Sequence, residues 1–123
     1  MKDKTLNILL IGGLGFIGQA LINFLAHQIP ESYEQIKIIA LTRSLINKQR
    51  IPETADSYYT GNAADALLLE RILFEKKIHY IIHLAGVSTV AKASLNPADA
   101  YLDNVKMTNA ICEACSEYRR IRG

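Results

Sequence analysis

The chain has 123 residues, half of them hydrophobic, enough to fill the core of one compact domain. Fourteen basic and twelve acidic residues leave a net charge of +2. The basic residues are dispersed apart from a short group, Arg119, Arg120 and Arg122, so neither nucleic acid nor an anionic membrane is an expected partner. No apolar run reaches the length of a membrane span, and Met1-Lys2-Asp3-Lys4-Thr5 lacks a signal-peptide cleavage pattern, which makes a cytoplasmic location the expectation.

The first element is the apolar run from Leu6 to Ile11. Between Ile8 and Ile11 it shows no polar alternation, as a central strand of a parallel sheet covered on both faces would. Glycines follow at once, and two registers fit them: Gly13-x-Gly15-x-x-Gly18 and Gly12-x-x-Gly15-x-x-Gly18. Glycine at such spacing lets the chain turn sharply, admits a phosphate close to the backbone and lets the next helix pack tightly on its strand. The helix opens with unpaired N–H groups and a positive dipole end, so the strand–turn–helix reads as the pyrophosphate site of a dinucleotide.

That helix is expected from Phe16 to about His27, with Ile17, Leu21, Ile22, Phe24 and Leu25 at helical spacing. Pro30 and the polar stretch 31–35 form a return loop, and Ile36 to Leu41 reads as a second buried strand. Residues 42–56 are polar and aperiodic, a loop. Ser57 to Thr60, with Tyr58 and Tyr59, has the character of a short edge strand. Asn62 is the expected cap of a second helix, with Asp65 as its capping-box acid and Ala66, Leu67, Leu69, Ile72 and Leu73 as its apolar face. Lys76 and Lys77 close it at the negative end of the dipole. Ile78 to Leu84 is a fourth strand, 85–95 a loop of small residues, and Asn96-Pro97 starts a last helix running to about Tyr118. Alternation of this kind predicts an α/β fold, a Rossmann-type doubly wound parallel sheet truncated to about four strands in the order 3-2-1-4.

The pair Cys112-x-x-Cys115 falls inside the predicted helix, away from a helix N-terminus, and has no second pair nearby. It is read as packing, with no metal site expected. His27, His79 and His83 are read as structural. At the end of the second strand, Leu41-Thr42-Arg43-Ser44 holds no acid for a ribose 2′-hydroxyl, whereas Arg43, helped by Ser44, can meet a 2′-phosphate. NADP is therefore favoured over NAD.

Three segments carry a family resemblance. Gly12-Gly13-Leu14-Gly15-Phe16-Ile17-Gly18 resembles a G-x-x-G-x-x-G turn, and His83-Leu84-Ala85-Gly86-Val87-Ser88 is similar to H-L-A-A-x-S. Pro97 with Tyr101, Asn104-Val105 and Thr108-Asn109 resembles, in residue types and order though not in every spacing, P-x-x-x-Y-x-x-x-N-V-x-G-T-x-N. In this order they resemble the extended short-chain dehydrogenase/reductases, which include the NAD(P)-dependent nucleotide-sugar epimerases and dehydratases. The departures are Ile11 where the family has Thr, Met107 where it has a small residue, and Gly61-Asn62 where it has Gly-Asp.

The resemblance implies that residues 1–123 are the dinucleotide-binding domain, lacking the fifth strand, the catalytic helix and the C-terminal substrate domain. Gly12, Gly15 and Gly18 would shape the turn, the amides of Phe16 and Ile17 would meet the pyrophosphate, and Arg43 the adenosine ribose. Asn62 and Ala63 would take the adenine, the Asn carbonyl accepting where the family's Asp does. Leu84, Ala85 and Gly86 would line the cofactor, with Asn104 nearby and Ser88 close to the substrate. The family's Tyr-x-x-x-Lys acid/base pair is missing. Tyr33-x-x-x-Lys37 matches its spacing but lies at the N-terminal end of the second strand, whereas ligands bind beyond the carboxyl ends, so no catalytic residue is assigned. The intact enzyme would act on a nucleotide-linked sugar, and this chain alone would be inert. The alternative is a non-catalytic NAD(P)-binding sensor or regulatory module. A homodimer is expected through the 97–118 helix, where Ala98, Leu102, Val105, Ala110, Ile111 and Ala114 form an apolar set, or through the exposed edge of the fourth strand.

Overall fold

The computed structural model describes residues 5–12, 16–25, 27, 31–43, 57–84 and 97–122, with all side chains there except those of Phe16, Ile17 and Ala100. Among the described residues there are four strands: β1 (Thr5–Ile11), β2 (Gln35–Thr42), β3 (Ser57–Thr60) and β4 (Tyr80–His83). They form one parallel sheet in the order β3-β2-β1-β4, as the sequence pattern predicts. Leu9, Leu10 and Ile11 of β1 and Ile38, Ile39, Ala40 and Leu41 of β2 are all at most 2% exposed, which explains their lack of polar alternation.

Helices cover both faces. On one side α1 (Phe16–Leu25) seats Ile22 against Leu10 and Ile38, with Leu21, Leu25, Ile36 and Ile82 around them. On the other, α2 (Ala66–Lys76) and α3 (Pro97–Arg122) enclose the larger core. There Leu69, Ile72 and Leu73 of α2 and Ala110 and Ala114 of α3 meet Leu9, Ile11, Ile39 and Leu41 of the sheet. Each large apolar side chain fully buried here contributes about 1.5–3 kcal/mol of transfer free energy.

Three boundaries differ from the sequence reading. The cap of α2 is Asp65, whose carboxylate accepts the Leu68 N–H at 3.2 Å, and Asn62 lies upstream in a turn. Asn62 Oδ1 accepts the Ala64 N–H at 2.9 Å and its carbonyl accepts the Asp65 N–H at 2.9 Å, so both its oxygens close the turn that precedes the helix. β4 starts at Tyr80 because Ile78 still belongs to the helix end, its N–H bonded to Leu73 O at 3.2 Å. Finally, α3 runs past Tyr118 to Arg122, with Arg119, Arg120 and Arg122 in its last turn, where cations favour the dipole.

The apolar set assigned to α3 divides in two. Ala110 and Ala114 are buried in the chain's own core and Ile111 packs against it, whereas Ala98 and Leu102 face solvent. Among the described residues, the outer faces of α3 therefore present Tyr101 and Leu102, while Ala110 and Ala114 are turned inward.

Candidate functional site

Strand register gathers the candidate residues on one rim. Ile11 stands opposite Leu41 and His83, and Thr42 opposite Thr60. Beyond those residues the backbone remains stitched across the sheet. Gly12 N–H donates to Leu41 O at 3.1 Å, Gly61 N–H to Thr42 O at 2.9 Å, and Leu84 N–H to Ile11 O at 2.8 Å. Gly12, Arg43, Gly61 and Leu84 thus follow the carboxyl ends of four adjacent strands, roughly 15 Å from one edge to the other at ~4.8 Å per strand. That is the side on which open α/β sheets bind ligands.

At the centre of the rim, Gly12 has φ 89°, a left-handed conformation that L residues rarely adopt. β1 ends just before it, and α1 begins at Phe16. The first N–H groups of α1 have no intrahelical acceptor, and no acid occupies its first turn, so this end is positively polarised and without a fixed anion of its own. Gly18 is buried within α1. Gly15, Ser44, Ala85, Gly86 and Ser88 lie outside the described residues.

Arg43 is exposed just past β2, behind the buried Thr42. Asn62 is exposed but spends its side-chain oxygen on Ala64, so an adenine amino group would have to share that carbonyl through its second lone pair. Ala63 is buried in the core and can offer only backbone. Leu84 is exposed at the end of β4, and Asn104 is half-buried in the second turn of α3, its carbonyl accepting from Thr108 Oγ1 at 3.1 Å. Tyr33 and Lys37 sit at the other end of the sheet. The Tyr33 ring is 6.2 Å from that of His79, and Lys37 pairs in register with Asn7 near the start of β1.

His79 is structural: its Nδ1 accepts the Asn7 N–H at 3.0 Å and its own N–H donates to Asn7 O at 2.8 Å. The Asn7 side chain, buried in β1, donates to Lys77 O at 3.2 Å, so β1 grips the segment that leads into β4. A second cluster escaped sequence reasoning. Tyr59 donates to Glu75 Oε2 at 2.6 Å, while Arg71 lies over the tyrosine ring and 3.4 Å from Glu75. Burial first, then the Glu75 carboxylate, push the Tyr59 hydroxyl up to about 12. It keeps its proton and clips β3 to α2; the i,i+4 spacing of Arg71 and Glu75 was the only signal in the sequence.

Cys112 and Cys115 are free and exposed, which corrects the reading of them as packed side chains; the alanines at 110 and 114 fill the core instead. Both line a cavity of about 470 Å3 between β4 and α3. His83 lines it too, with Nε2 buried and without a hydrogen-bond partner among the described residues. Among the described residues no group of three His, Cys, Asp or Glu side chains is placed to hold a metal, and no helix is long and apolar enough to cross a membrane.

Comparison with known proteins gives a consistent answer. A model of the NAD dependent epimerase/dehydratase family matches residues 8–122. The dTDP-D-glucose 4,6-dehydratase of Dictyostelium discoideum is 33% identical over 118 residues, covering 91% of this chain and 26% of the dehydratase. The crystal structure of UDP-glucose 4-epimerase from Thermotoga maritima, with UDP-glucose, matches at 27% identity and TM-score 0.74, over 92% of this chain and 35% of that one. The Thermus thermophilus UDP-glucose 4-epimerase, in complex with NAD, shares the fold at 21% identity and TM-score 0.75, over 92% of this chain and 34% of its own. The chain thus spans between a quarter and about a third of the length of the proteins it matches.

Proposed function

Because the chain belongs to the NAD dependent epimerase/dehydratase family, we propose that residues 1–123 form a dinucleotide-binding unit serving the conversion of a nucleotide-linked sugar. The observation that carries this reading is Gly12, in its left-handed conformation at the end of the central strand. It directs the chain toward the acid-free N-terminus of α1, with Arg43 one strand away. In this reading the Phe16 and Ile17 amides hold the pyrophosphate, with Gly12, Gly15 and Gly18 keeping the approach open. Asn62 and the backbone of Ala63 meet the adenine; Leu84, Ala85, Gly86 and Asn104 line the nicotinamide side, and Ser88 lies toward the sugar. A bound nicotinamide supplies hydride transfer; the chain's own part is to bind it, orient it and exclude water from it.

Arg43 favours NADP over NAD, since its guanidinium can form charge-assisted bonds to a 2′-phosphate and β2 ends without an acid. With Tyr33 and Lys37 at the far end of the sheet, the chain by itself binds cofactor without turning over sugar. Two copies associate through the exposed part of α3 around Tyr101 and Leu102, or along the outer edge of β4.

Calorimetric titration with NADP and, separately, NAD tests the reading. NADP should bind about fivefold tighter, roughly 1 kcal/mol for one exposed guanidinium–phosphate contact, and Arg43→Ala should abolish the difference. Equal binding of the two cofactors would overturn the 2′-phosphate assignment. Failure of both to bind would overturn a dinucleotide site formed by this chain alone.

A further inference from the structure

The face between β4 and α3 carries chemistry that dinucleotide binding leaves unused. Cys112 and Cys115 are both free, both exposed and three residues apart within α3, and both form the wall of the same cavity. An α-helix of radius ~2.3 Å and rise ~1.5 Å per residue sets Cα atoms three residues apart at about 5 Å. That falls inside the ~4.4–6.8 Å range across which disulfides form. Side chains at this spacing share a face, with Cβ atoms ~5–6 Å apart, whereas a disulfide draws them to ~3.5–4.5 Å. Closing the bond therefore needs a shift of roughly 1–2 Å within one helical turn, which leaves it strained and easily reduced.

The surroundings narrow the chemistry further. No three ligating side chains among the described residues are grouped for a metal ion, so His83 does not join the two thiols in a coordination set. The remaining walls are mostly apolar, with Leu73, Ile81, Ile111 and Tyr118 among them, and supply neither a fixed cation nor a carboxylate to compete for the sulfurs. Burial, and then the neighbouring Cys112, push the Cys115 thiol up, so its thiolate forms less readily than that of a fully solvated cysteine.

We propose that Cys112 and Cys115 are a site of reversible thiol–disulfide exchange with low-molecular-weight disulfides of the glutathione type, closing an intrahelical bond at the wall of the cavity between α3 and β4. The thiolate of one of the two cysteines attacks one sulfur of RS–SR; that S–S bond breaks, and the departing RS⁻ takes up the proton that this cysteine lost. The thiolate of the other cysteine then attacks the protein sulfur of the mixed disulfide. A Cys112–Cys115 bond forms, and a second RS⁻ leaves and takes the proton from the second cysteine. Two protein thiols are oxidised and one external disulfide is reduced to two thiols. The bond draws together a turn whose inner side, Ala110 and Ala114, is buried against α2, so the oxidation state of the pair is transmitted to the core.

The test equilibrates the full chain with mixtures of reduced and oxidised glutathione, followed by intact mass and thiol counting. The wild type should lose both thiols and two hydrogens in mass, remain a single chain, and recover fully with dithiothreitol. Cys112→Ser and Cys115→Ser, both at exposed positions that leave the core alone, should each stop at one glutathione per chain. They should also need at least a tenfold higher ratio of oxidised to reduced glutathione, because neither can expel the adduct intramolecularly. A wild type that keeps both thiols, carries two glutathiones, or links only between chains would overturn the proposal.

Discussion

Replacing Gly12 by alanine separates backbone conformation from every other property of the turn. At φ 89° a Cβ crowds the backbone, a cost of about 1–2 kcal/mol for an L residue in left-handed space. Relaxation to negative φ is opposed from both sides. The Gly12 N–H is held by Leu41 O at 3.1 Å, and the preceding Ile11 is 1% exposed and locked between β2 and β4. The strain therefore stays in the folded state. For a domain of this size it should lower Tm by about 3–10 °C and shift the urea midpoint without changing the slope. Urea denaturation and calorimetric titration on the same preparation give both readouts. Because the strain is relieved only by moving the turn, cofactor binding should fall at least tenfold, roughly 1.4 kcal/mol. A variant within about 0.3 kcal/mol of wild type in stability would refute the left-handed turn, since ordinary surface changes already stay inside about ±0.5 kcal/mol.

Three further outcomes are expected. Tyr59→Phe deletes a hydrogen bond to Glu75 at a partly exposed position and should cost about 1 kcal/mol at pH 8. The folded-state pKa is raised from 10 to about 12, so the wild-type advantage is complete below pH 10 and is lost as pH rises through about 12. Urea midpoints at pH 8 and pH 11 should converge, and a gap that widens at pH 11 would reverse the assignment. Lys77→Gly should stabilise by about 0.5–1 kcal/mol, because Lys77 ends α2 at φ 49°, ψ 55° and its backbone bonds to Leu73 and Asn7 do not involve the side chain; an unchanged thermal midpoint would count against it. Ile72→Ala should cost about 2–5 kcal/mol from the centre of the larger core, and Leu67→Ala, 77% exposed on the same helix, under about 0.5. Similar losses from both would mean α2 is rotated from the orientation described.

The corrections show where residue patterns stop. Asn62 and Asp65 are both good helix caps, and three residues separate them, so propensity alone cannot choose. Gly61, tied to Thr42 O, and Ala63, buried in the core, hold residues 61–64 as part of the sheet rim, and the helix waits for Asp65. In α3 the alanines and Leu102 are equally apolar on paper. Only the approach of α2 decides that Ala110 and Ala114 face inward, where a small side chain lets two helices close, while Leu102 and both cysteines stay outside. His79 was legible as structural, but not its partner, since Asn7 is 72 residues away in sequence.

What the sequence by itself determined was the number, type and order of the main elements and the position of the glycine turn. Unalternated runs such as Ile8–Ile11 and Ile36–Leu41 are stable only when covered on both faces, and glycines between a strand and a helix leave the backbone few alternatives. Those are local constraints, written into consecutive residues. The tertiary structure decided which ends of the strands share a rim, which helix face is buried, and which polar groups find partners. Such outcomes depend on contacts between residues far apart in the chain, and their energies arise only once the sheet has brought them together.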